Sequence, residues 1–212
     1  MSTVDPSTLL PVPPRSQRGD PAWELALLFP WQGSWTEADY LALDTNRLVE
    51  LVHGCLEVLP MPTILHQMMV EVLHGRLKSH VAAKAAGLVL FAPLPVHLGP
   101  ESFREPDVIY LRPNRIADLR KQPEGADLVM EVVSEGNENR KRDLETKRHD
   151  YAEAGIAEYW IVDPQEHQII VLALEGKTYR EHGKFGRGAT ASSVLLPGFT
   201  VSVDAVFAVG SE

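Results

Sequence analysis

Apolar residues recur at intervals of three and four along one long segment of the chain, a spacing typical of a helix that is buried on one side. The segment begins at Thr63 and extends to about Ala86, with Gly87 available as its C-cap. Its apolar positions are Leu65, Met68, Met69, Val72, Leu77 and Val81. A second helix is predicted over about residues 137–154, and Gly155 is expected to end it.

Shorter apolar runs, separated by proline and glycine, predict strands. They lie at 88–92, 94–98, 106–111, 127–133, 158–163 and 167–174, with weaker candidates near 177–181 and 199–203. Upstream, Ser34 or Thr36 is expected to cap a short helix that extends through Leu43, and residues 48–59 are expected to form a hairpin that turns at His53. This order of elements predicts an α/β fold, with helices packed on a mixed β-sheet.

The first 33 residues differ from the rest of the chain, because they hold six of its 16 prolines. Proline lacks a backbone N–H and fixes φ, so this density disfavours both helices and strands. We therefore expect residues 1–33 to form an extended arm and residues 34–212 to form a single domain. The apolar residues of the arm favour packing on the body or on a partner subunit, which makes a homodimer through the arm one candidate arrangement. They are Trp23, Leu25, Leu27, Leu28, Phe29 and Trp31.

Composition and charge exclude several classes of protein. A single cysteine in 212 residues rules out an intramolecular disulfide and a cysteine-based zinc site, and it fits a reducing compartment. No apolar run approaches the roughly 18 residues of a membrane helix, and the N-terminus lacks the layout of a signal peptide, so a cytoplasmic protein without membrane association is expected. The net charge of -9 disfavours tight, sequence-blind binding to nucleic acid. Any such contact must therefore depend on a local basic patch or on metal ions.

Two acidic residues occupy positions where an ordinary surface role is unexpected. Glu131 lies among apolar residues at the centre of a predicted interior strand, where an unpaired carboxylate costs several kcal/mol. Asp107 follows Pro106 at the start of the preceding strand. Because the two strands are expected to be neighbours, the two carboxylates are expected to converge. The alternative for Asp107 is a local capping role, and for Glu131 a buried ion pair without any metal.

The helix after the Glu131 strand supplies a lysine on its buried face. At about 100° per residue, Lys147 lies about 40° from Asp143 around the helix axis, within the stripe that also holds Tyr151. Arg140 is expected on the same face. Lys147 is therefore positioned to reach an interior carboxylate, and Asp143, four residues earlier, is expected to hold the ammonium in place.

Two carboxylates on neighbouring strands and a lysine suit metal-assisted hydrolysis of phosphodiester bonds. Carboxylates bind a hard cation such as Mg²⁺, which activates water and neutralises charge on the phosphate, while the lysine orients the nucleophile. The eight histidines form no metal-binding motif, and solvated or helix-end roles are favoured for His66, His74 and His80 on the long helix. An approach of His66 to the acidic residues is the open alternative, because this residue opens the helix.

Four segments occur in an order that resembles a known family. They are Pro106-Asp107, Glu131-Val-Val, Arg142-Asp143-Leu-Glu-Thr-Lys147 and Tyr151-Ala-Glu-Ala-Gly-Ile-Ala-Glu-Tyr-Trp-Ile-Val-Asp-Pro164. The first two resemble the PD-(D/E)xK motif of restriction-endonuclease-like proteins, and the whole set, over about residues 34–207, is similar to the Uma family of endonuclease-like proteins, a domain of unknown function. Val133 stands where the standard motif has its lysine, and Lys147 takes its place.

The resemblance implies a restriction-endonuclease-like fold and an endonuclease that hydrolyses DNA with Mg²⁺ or Mn²⁺. It also implies that Glu50 is a further acid near the metal. The predicted catalytic residues are Asp107, Glu131, Lys147, Asp143 and Glu50, and the predicted metal-binding residues are Asp107, Glu131 and Val132. Segments 112–121 and 140–148 hold nine of the 20 basic residues and are expected to form a positive rim for DNA around the acidic site. The competing interpretation is a non-catalytic nucleic-acid-binding or regulatory module that keeps the fold.

Overall fold

A computed structural model of the chain describes residues 30–210, apart from residues 46, 85, 86 and 117. Most of the predicted arm lies outside these residues, so its packing and any dimer contact stay predictions. The mixed α/β architecture is confirmed. The helices are α1 (Glu37–Leu41), α2 (Ile64–Ala82), α3 (Asn137–Lys141), α4 (Lys147–Glu153) and α5 (Val203–Phe207), with a π-helical turn (Arg142–Thr146) joining α3 to α4.

Helices α1, α2 and α5 begin after residues whose side chains accept hydrogen bonds from the first turn. Thr36, one of the two predicted caps, accepts from the backbone N–H of Asp39 and starts α1. Thr63 does the same for the N–H of His66 and starts α2. The predicted cap at Gly87 is wrong, because α2 ends at Ala82. Gly87 instead lies against the backbone of Leu111: an added Cβ would be 2.0 Å from the Leu111 carbonyl oxygen, so only glycine fits there.

The described residues form twelve strands in two larger sheets and one pair. The strands are β1 (Val49–Val52), β2 (Cys55–Val58), β3 (Leu88–Phe91), β4 (Val96–Gly99), β5 (Ser102–Arg104), β6 (Val108–Leu111), β7 (Leu128–Val132), β8 (Glu158–Asp163), β9 (Gln168–Glu175), β10 (Thr178–Phe185), β11 (Thr190–Ser192) and β12 (Thr200–Ser202). The predicted hairpin is confirmed, with His53 and Gly54 at positive φ in its turn. Strands β5 and β11 have no counterpart in the sequence prediction.

The central sheet has six strands in the order β10-β9-β8-β7-β6-β3. Only β7 and β8 pair in parallel among these, because the chain crosses between them through α3, the π-helical turn and α4. A smaller sheet has the order β2-β1-β5-β4. The two sheets are connected in sequence through β5 and β6, so Arg104 at the end of one sheet and Asp107 at the start of the other are three residues apart.

The core lies on both faces of the central sheet. Helix α2 packs on one face through Leu73 and Leu77, and α4 covers the other face through Tyr151. The predicted stripe of α2 is wrong at its beginning, since Leu65 and Met68 are exposed. The buried stripe starts at Met69, and the first turns of the helix lie beside a groove. None of the helices in the described ranges has the length and hydrophobicity that a membrane span requires.

Candidate active site

Asp107 is held at the start of β6 by the neighbouring strand. Pro106 has no backbone N–H to donate to a neighbouring strand. The Asp107 side chain makes the contact with β7 instead, because its Oδ2 accepts a hydrogen bond from the Val132 backbone N–H at 2.7 Å. Strands β6 and β7 are antiparallel, with Val108 opposite Met130. One further step in this register places Asp107 opposite Glu131, on the same face of the sheet. The predicted neighbourhood of the two acids is therefore confirmed.

Glu131 is buried, with 3% of its surface exposed. Its Oε1 accepts from the Tyr151 hydroxyl at 2.5 Å and lies 2.8 Å from Lys147 Nζ. Burial raises the pKa of Glu131 to about 8, because Lys147 only partly offsets the lost hydration and the nearby carboxylates of Asp107, Asp143 and Glu50 add to the rise. Glu131 thus lies in surroundings that have more negative than positive charge.

Lys147 points inward, as the sequence predicts, and 3% of its surface is exposed. Its Nζ lies 2.8 Å from Glu131, 3.4 Å from Asp143 and 3.8 Å from Glu50. Burial alone would lower the pKa of the ammonium, but these three carboxylates together hold it above its ordinary value. Lys147 is therefore a buried cation shared among three carboxylates.

Asp143 reaches Lys147 although the helix is irregular at this point. It belongs to the π-helical turn, in which hydrogen bonds join residues five apart and each turn is wider. Two residues four apart still project to the same side of such a turn, and Asp143 and Lys147 are both buried. The other Asp143 oxygen, Oδ2, accepts from the Ser134 N–H at 3.3 Å. The predicted contact between Asp143 and Lys147 is confirmed, while its catalytic role stays a prediction.

Glu50 lies behind Lys147 and is completely buried. Its Oε2 lies 2.6 Å from the guanidinium of Arg104, and its Oε1 accepts from the Glu105 N–H at 2.8 Å. Burial would raise the pKa of Glu50, but Lys147 and then Arg104 bring it below its ordinary value, so the carboxylate stays ionised. Glu50 does not line the acidic cavity described below.

A small cavity brings most of the predicted residues together. It has a volume of about 60 Å³ and is lined by Asp107, Glu131, Val132, Asp143 and Lys147, among others. It adjoins a groove of about 380 Å³, and the two share several lining residues. They are Pro60, Pro62, His66, Val132 and Ser134. The cavity has room for about two water molecules or a phosphoryl group, so any larger substrate must extend into the groove.

Three ionisable residues that line the cavity are absent from the predicted catalytic and metal-binding residues. His66 Nε2 lies 3.3 Å from Asp107 Oδ2, so the structure has the alternative placement of His66 beside the acidic residues and not the favoured solvated one. Burial and the nearby Glu50 raise the pKa of Glu105, which also lines the cavity, to about 7. Arg142 lines the cavity from the π-helical turn. The spacing of Glu105 from Asp107, two residues along an extended segment, is the signal that would have found it.

The donor atoms of the cavity suit a hard cation, for which the protein would supply only some of the ligands and water the others. Within the described ranges, no group of three or more His, Cys, Asp and Glu side chains is arranged to hold a metal ion. Asp107 and Glu131 offer two carboxylates, and the Val132 carbonyl faces the same side of its strand as the N–H that Asp107 accepts. Mg²⁺ commonly binds to one or two carboxylates and keeps several waters. This donor set therefore fits Mg²⁺ or Mn²⁺ by its chemistry.

The predicted positive rim is wrong in its first half. Segment 112–121 follows the end of β6, whereas Asp107 lies at the start of that strand, so the segment is at the opposite end of the sheet. There Arg115 pairs with Asp127 at 3.1 Å. In the second segment, Arg140 does not face the acidic site and forms two 2.7 Å bonds to Asp163. The prediction failed because Asp107 and Arg112 are close in sequence but lie at the two ends of β6, which are separated by the length of the strand.

A second buried glutamate has a different environment. Glu158, at the start of β8, is completely buried and accepts four hydrogen bonds from neutral donors. The donors are Trp160 Nε1 and the Ser193 hydroxyl, each at 2.6 Å, and the Val194 and Leu195 N–H groups at 2.6 and 2.7 Å. Glu158 thus fastens the loop after β11 to the central sheet and has no part in the acidic cavity.

Comparison with known proteins places the chain in a family. No curated protein matches it. A solved structure from Anabaena variabilis, described as a “putative nuclease belonging to DUF820”, matches with a TM-score of 0.67 and 17% identity, over 82% of this chain and 97% of that one. This likeness shows the fold, which is restriction-endonuclease-like as the sequence predicts. The model of the Uma2 family, described as “Putative restriction endonuclease”, matches residues 37–204. The chain belongs to the Uma2 family.

Proposed function

We propose that this protein is a metal-dependent endonuclease that hydrolyses phosphodiester bonds in DNA. The observation that carries the proposal is the meeting of Asp107 and Glu131 on one face of the sheet, with Lys147 Nζ 2.8 Å from Glu131. Such a combination of two carboxylates and a lysine beside a cavity suits phosphodiester chemistry. Membership of a family described as restriction endonucleases supports it further.

The predicted site residues in and around the cavity have distinct roles in this proposal. Asp107 and Glu131, with the Val132 carbonyl, hold Mg²⁺ or Mn²⁺. The bound ion supplies charge neutralisation at the phosphate and a lowered pKa for an attacking water. Lys147 orients that water through its ammonium, which Asp143 holds in place. Tyr151 fixes the orientation of the Glu131 carboxylate through its hydroxyl. Glu50 assists from behind Lys147.

The charges around the cavity make DNA binding depend on the divalent metal ion in this proposal. Without a cation, the carboxylates around the cavity repel a phosphate, and the net charge of -9 gives no general attraction. A divalent cation, which Asp107 and Glu131 would hold, would offset the local negative charge. We therefore expect DNA binding to require the metal and to weaken with added salt.

A non-catalytic module with the same fold is the second candidate. The observation that favours it is that Glu131 already has a cation, Lys147, and a hydroxyl donor, Tyr151, on one oxygen. Such an ion pair is complete without a metal. The two candidates differ in metal binding and in cleavage, which one set of measurements can separate.

The test is cleavage of supercoiled and linear DNA with Mg²⁺, Mn²⁺, Ca²⁺ or EDTA. We expect nicking with Mg²⁺ or Mn²⁺, and loss of it in Asp107→Asn, Glu131→Gln and Lys147→Ala. Lys147→Ala is expected to keep most of the metal affinity measured by calorimetry. Glu175→Gln is the matched control, because this carboxylate is exposed and pairs only with exposed Arg180 among the described ion pairs.

Binding provides the second measurement. In fluorescence anisotropy with a labelled duplex, we expect tight binding in Ca²⁺, which supports binding without cleavage, and weak binding in EDTA. Equal affinity in the two conditions would contradict a bridging metal. Absence of cleavage together with absence of metal binding would establish the non-catalytic module instead.

A further inference from the structure

Arg104 is a buried arginine at the end of β5, with 1% of its surface exposed. Its guanidinium lies 2.6 Å from Glu50 Oε2, 2.8 Å from Glu57 Oε2 and 2.6 Å from Asp150 Oδ2. The planar fork of donors in arginine suits such simultaneous contacts. Arg104 does not line the acidic cavity, so any effect on the site must pass through one of these carboxylates.

Glu50 is the first connection, because it lies between two cations. One oxygen contacts Arg104 at 2.6 Å, and the other lies 3.8 Å from Lys147 Nζ. Leu51 is opposite Phe103 in the β1–β5 pair, and one more step in that register places Glu50 opposite Arg104. The small sheet thus presents an ionised carboxylate to Lys147, and Arg104 is the cation that neutralises it.

Asp150 is the second connection, because it belongs to the helix that carries Lys147. Residues 147 and 150 are both in α4 and are three positions apart, so they lie one above the other on its surface. Arg104 bonds Asp150 through both Nε, at 3.1 Å, and Nη2, at 2.6 Å. The small sheet is therefore fastened to α4 one turn away from Lys147.

We propose that Arg104 is a positioning residue that keeps the Lys147 ammonium on Glu131. Lys147 Nζ is now 2.8 Å from Glu131 and 3.8 Å from Glu50, so the two carboxylates compete for one cation. Without Arg104, Glu50 is a buried carboxylate that lacks its closest cation, and Lys147 moves toward it. Only the catalytic consequence of this inference rests on the proposed function, since the position of Lys147 can be measured in the absence of any activity.

The structural test compares Arg104→Met with unmodified protein. We expect the Lys147 Nζ to Glu131 distance to lengthen from 2.8 Å in a crystal structure, and the distance to Glu50 to shorten from 3.8 Å. The ¹⁵Nζ signal of Lys147, assigned with Lys147→Arg, should shift accordingly in solution. Glu158→Gln is the control, because it disturbs a buried charge that is remote from Lys147; Ser193→Ala replaces it if that variant fails to fold.

The suppressor test asks how Arg104 acts. If it acts by neutralising Glu50, the double variant Arg104→Met/Glu50→Gln returns the Lys147 signal toward its original position. Arg104→Lys keeps a charge but lacks the planar fork of donors that reaches Glu50 and Asp150 at once, so it should give an intermediate shift, and it serves as the milder variant if Arg104→Met does not fold. An unshifted signal in both Arg104 variants, or a shift that Glu50→Gln does not reverse, overturns the proposal.

The catalytic test is a split between kcat and KM. We expect Arg104→Met to lower kcat for DNA cleavage by about 10–100-fold, the usual effect of losing a supporting contact, with KM unchanged. The control variant should keep the original kcat. A raised KM with unchanged kcat would overturn the positioning role. If unmodified protein cleaves no DNA, the proposed function fails, and the Lys147 signal still decides the position of the ammonium.

Discussion

Glu131 and Glu158 are two buried glutamates on the neighbouring parallel strands β7 and β8. They lie near opposite ends of this strand pair, and their carboxylates have different partners: charged groups surround Glu131, whereas neutral donors surround Glu158. Strands β7 and β8 place Glu158 opposite Leu128 and Glu131 opposite Ile161. Glu158 accepts four hydrogen bonds from neutral donors. Glu131 has one cation, one hydroxyl donor and three carboxylates nearby. The sequence alone does not distinguish the two, since each is a glutamate in an apolar strand.

The difference teaches what separates a structural carboxylate from one that is suited to a cation. A carboxylate with neutral donors on both oxygens is satisfied, and a ligand would have to displace those donors. A carboxylate that shares a single lysine with other carboxylates remains under-compensated, which is why its pKa rises. A divalent cation relieves that excess of negative charge. The following predictions test this contrast, from the largest expected effect to the smallest.

Glu158→Gln should cost the most stability. The substitution replaces one carboxylate oxygen by an NH₂ group, and the two buried donors that contact this oxygen then have no acceptor. We expect this to lower the free energy of unfolding by about 3–5 kcal/mol. Urea unfolding monitored by tryptophan fluorescence measures it. A smaller loss of stability than in Lys147→Met or Glu131→Gln would contradict a structural role for Glu158.

Lys147→Met should destabilise the metal-free protein by about 2–4 kcal/mol at neutral pH, because three buried carboxylates lose their shared cation. The cost is smaller than for Glu158→Gln, since Glu131 can take up a proton. Adding Glu131→Gln to Lys147→Met should restore part of the loss. Additive costs in this double-mutant cycle, measured by urea unfolding, would contradict the coupling of the two residues.

The pH dependence of stability should report the excess negative charge around Glu131. The pKa of Glu131 is raised in the folded protein, so its stabilising effect is complete below about pH 4.5 and is lost as pH rises through about 8. We expect the metal-free protein to lose about 1–2 kcal/mol of unfolding free energy over this window, and Mg²⁺ to oppose the loss. Glu131→Gln should flatten the profile. A profile for this variant that runs parallel to that of the unmodified protein would sink the prediction.

Glu131→Gln should change stability least, by less than about 1 kcal/mol at pH 5, where the carboxyl is protonated and the amide has a similar shape and no charge. Metal affinity should nevertheless fall by about tenfold or more. Urea unfolding and calorimetric titration with Mn²⁺ measure the two effects. A large loss of stability with unchanged metal affinity would assign Glu131 the same structural role as Glu158.

Local patterns predicted those parts of the site that lie within one element or on adjacent strands. Lys147 and Asp143 share a helix face, and even the wider π-helical turn between them preserves that relation. Asp107 and Glu131 follow from the order of two neighbouring strands. In each case a short separation or a fixed period links the sequence to the direction of the side chain.

Longer-range relations were predicted less well. Arg104 contacts Glu50 and Asp150, which are 54 and 46 residues away, and no periodic pattern indicates such contacts. The predicted rim at 112–121 is wrong because this segment is close to Asp107 in sequence but is separated from it in space by the length of β6. The exposed start of α2 was missed because an apolar residue at the correct spacing need not be covered by a neighbouring element.

The sequence by itself determined the mixed α/β fold, the family, and the presence of two acids and a lysine on elements that must pack together. These properties depend on hydrophobic periodicity and on an ordered set of short segments, which the chain carries locally. The tertiary structure alone decided that Glu158 is satisfied by neutral donors, that Glu131 is left with excess negative charge, and that Glu50 shares Lys147 with Arg104. The reason is that the pKa and the partners of a buried carboxylate are set by every charge and donor within a few ångströms, and packing brings those groups together from distant parts of the chain.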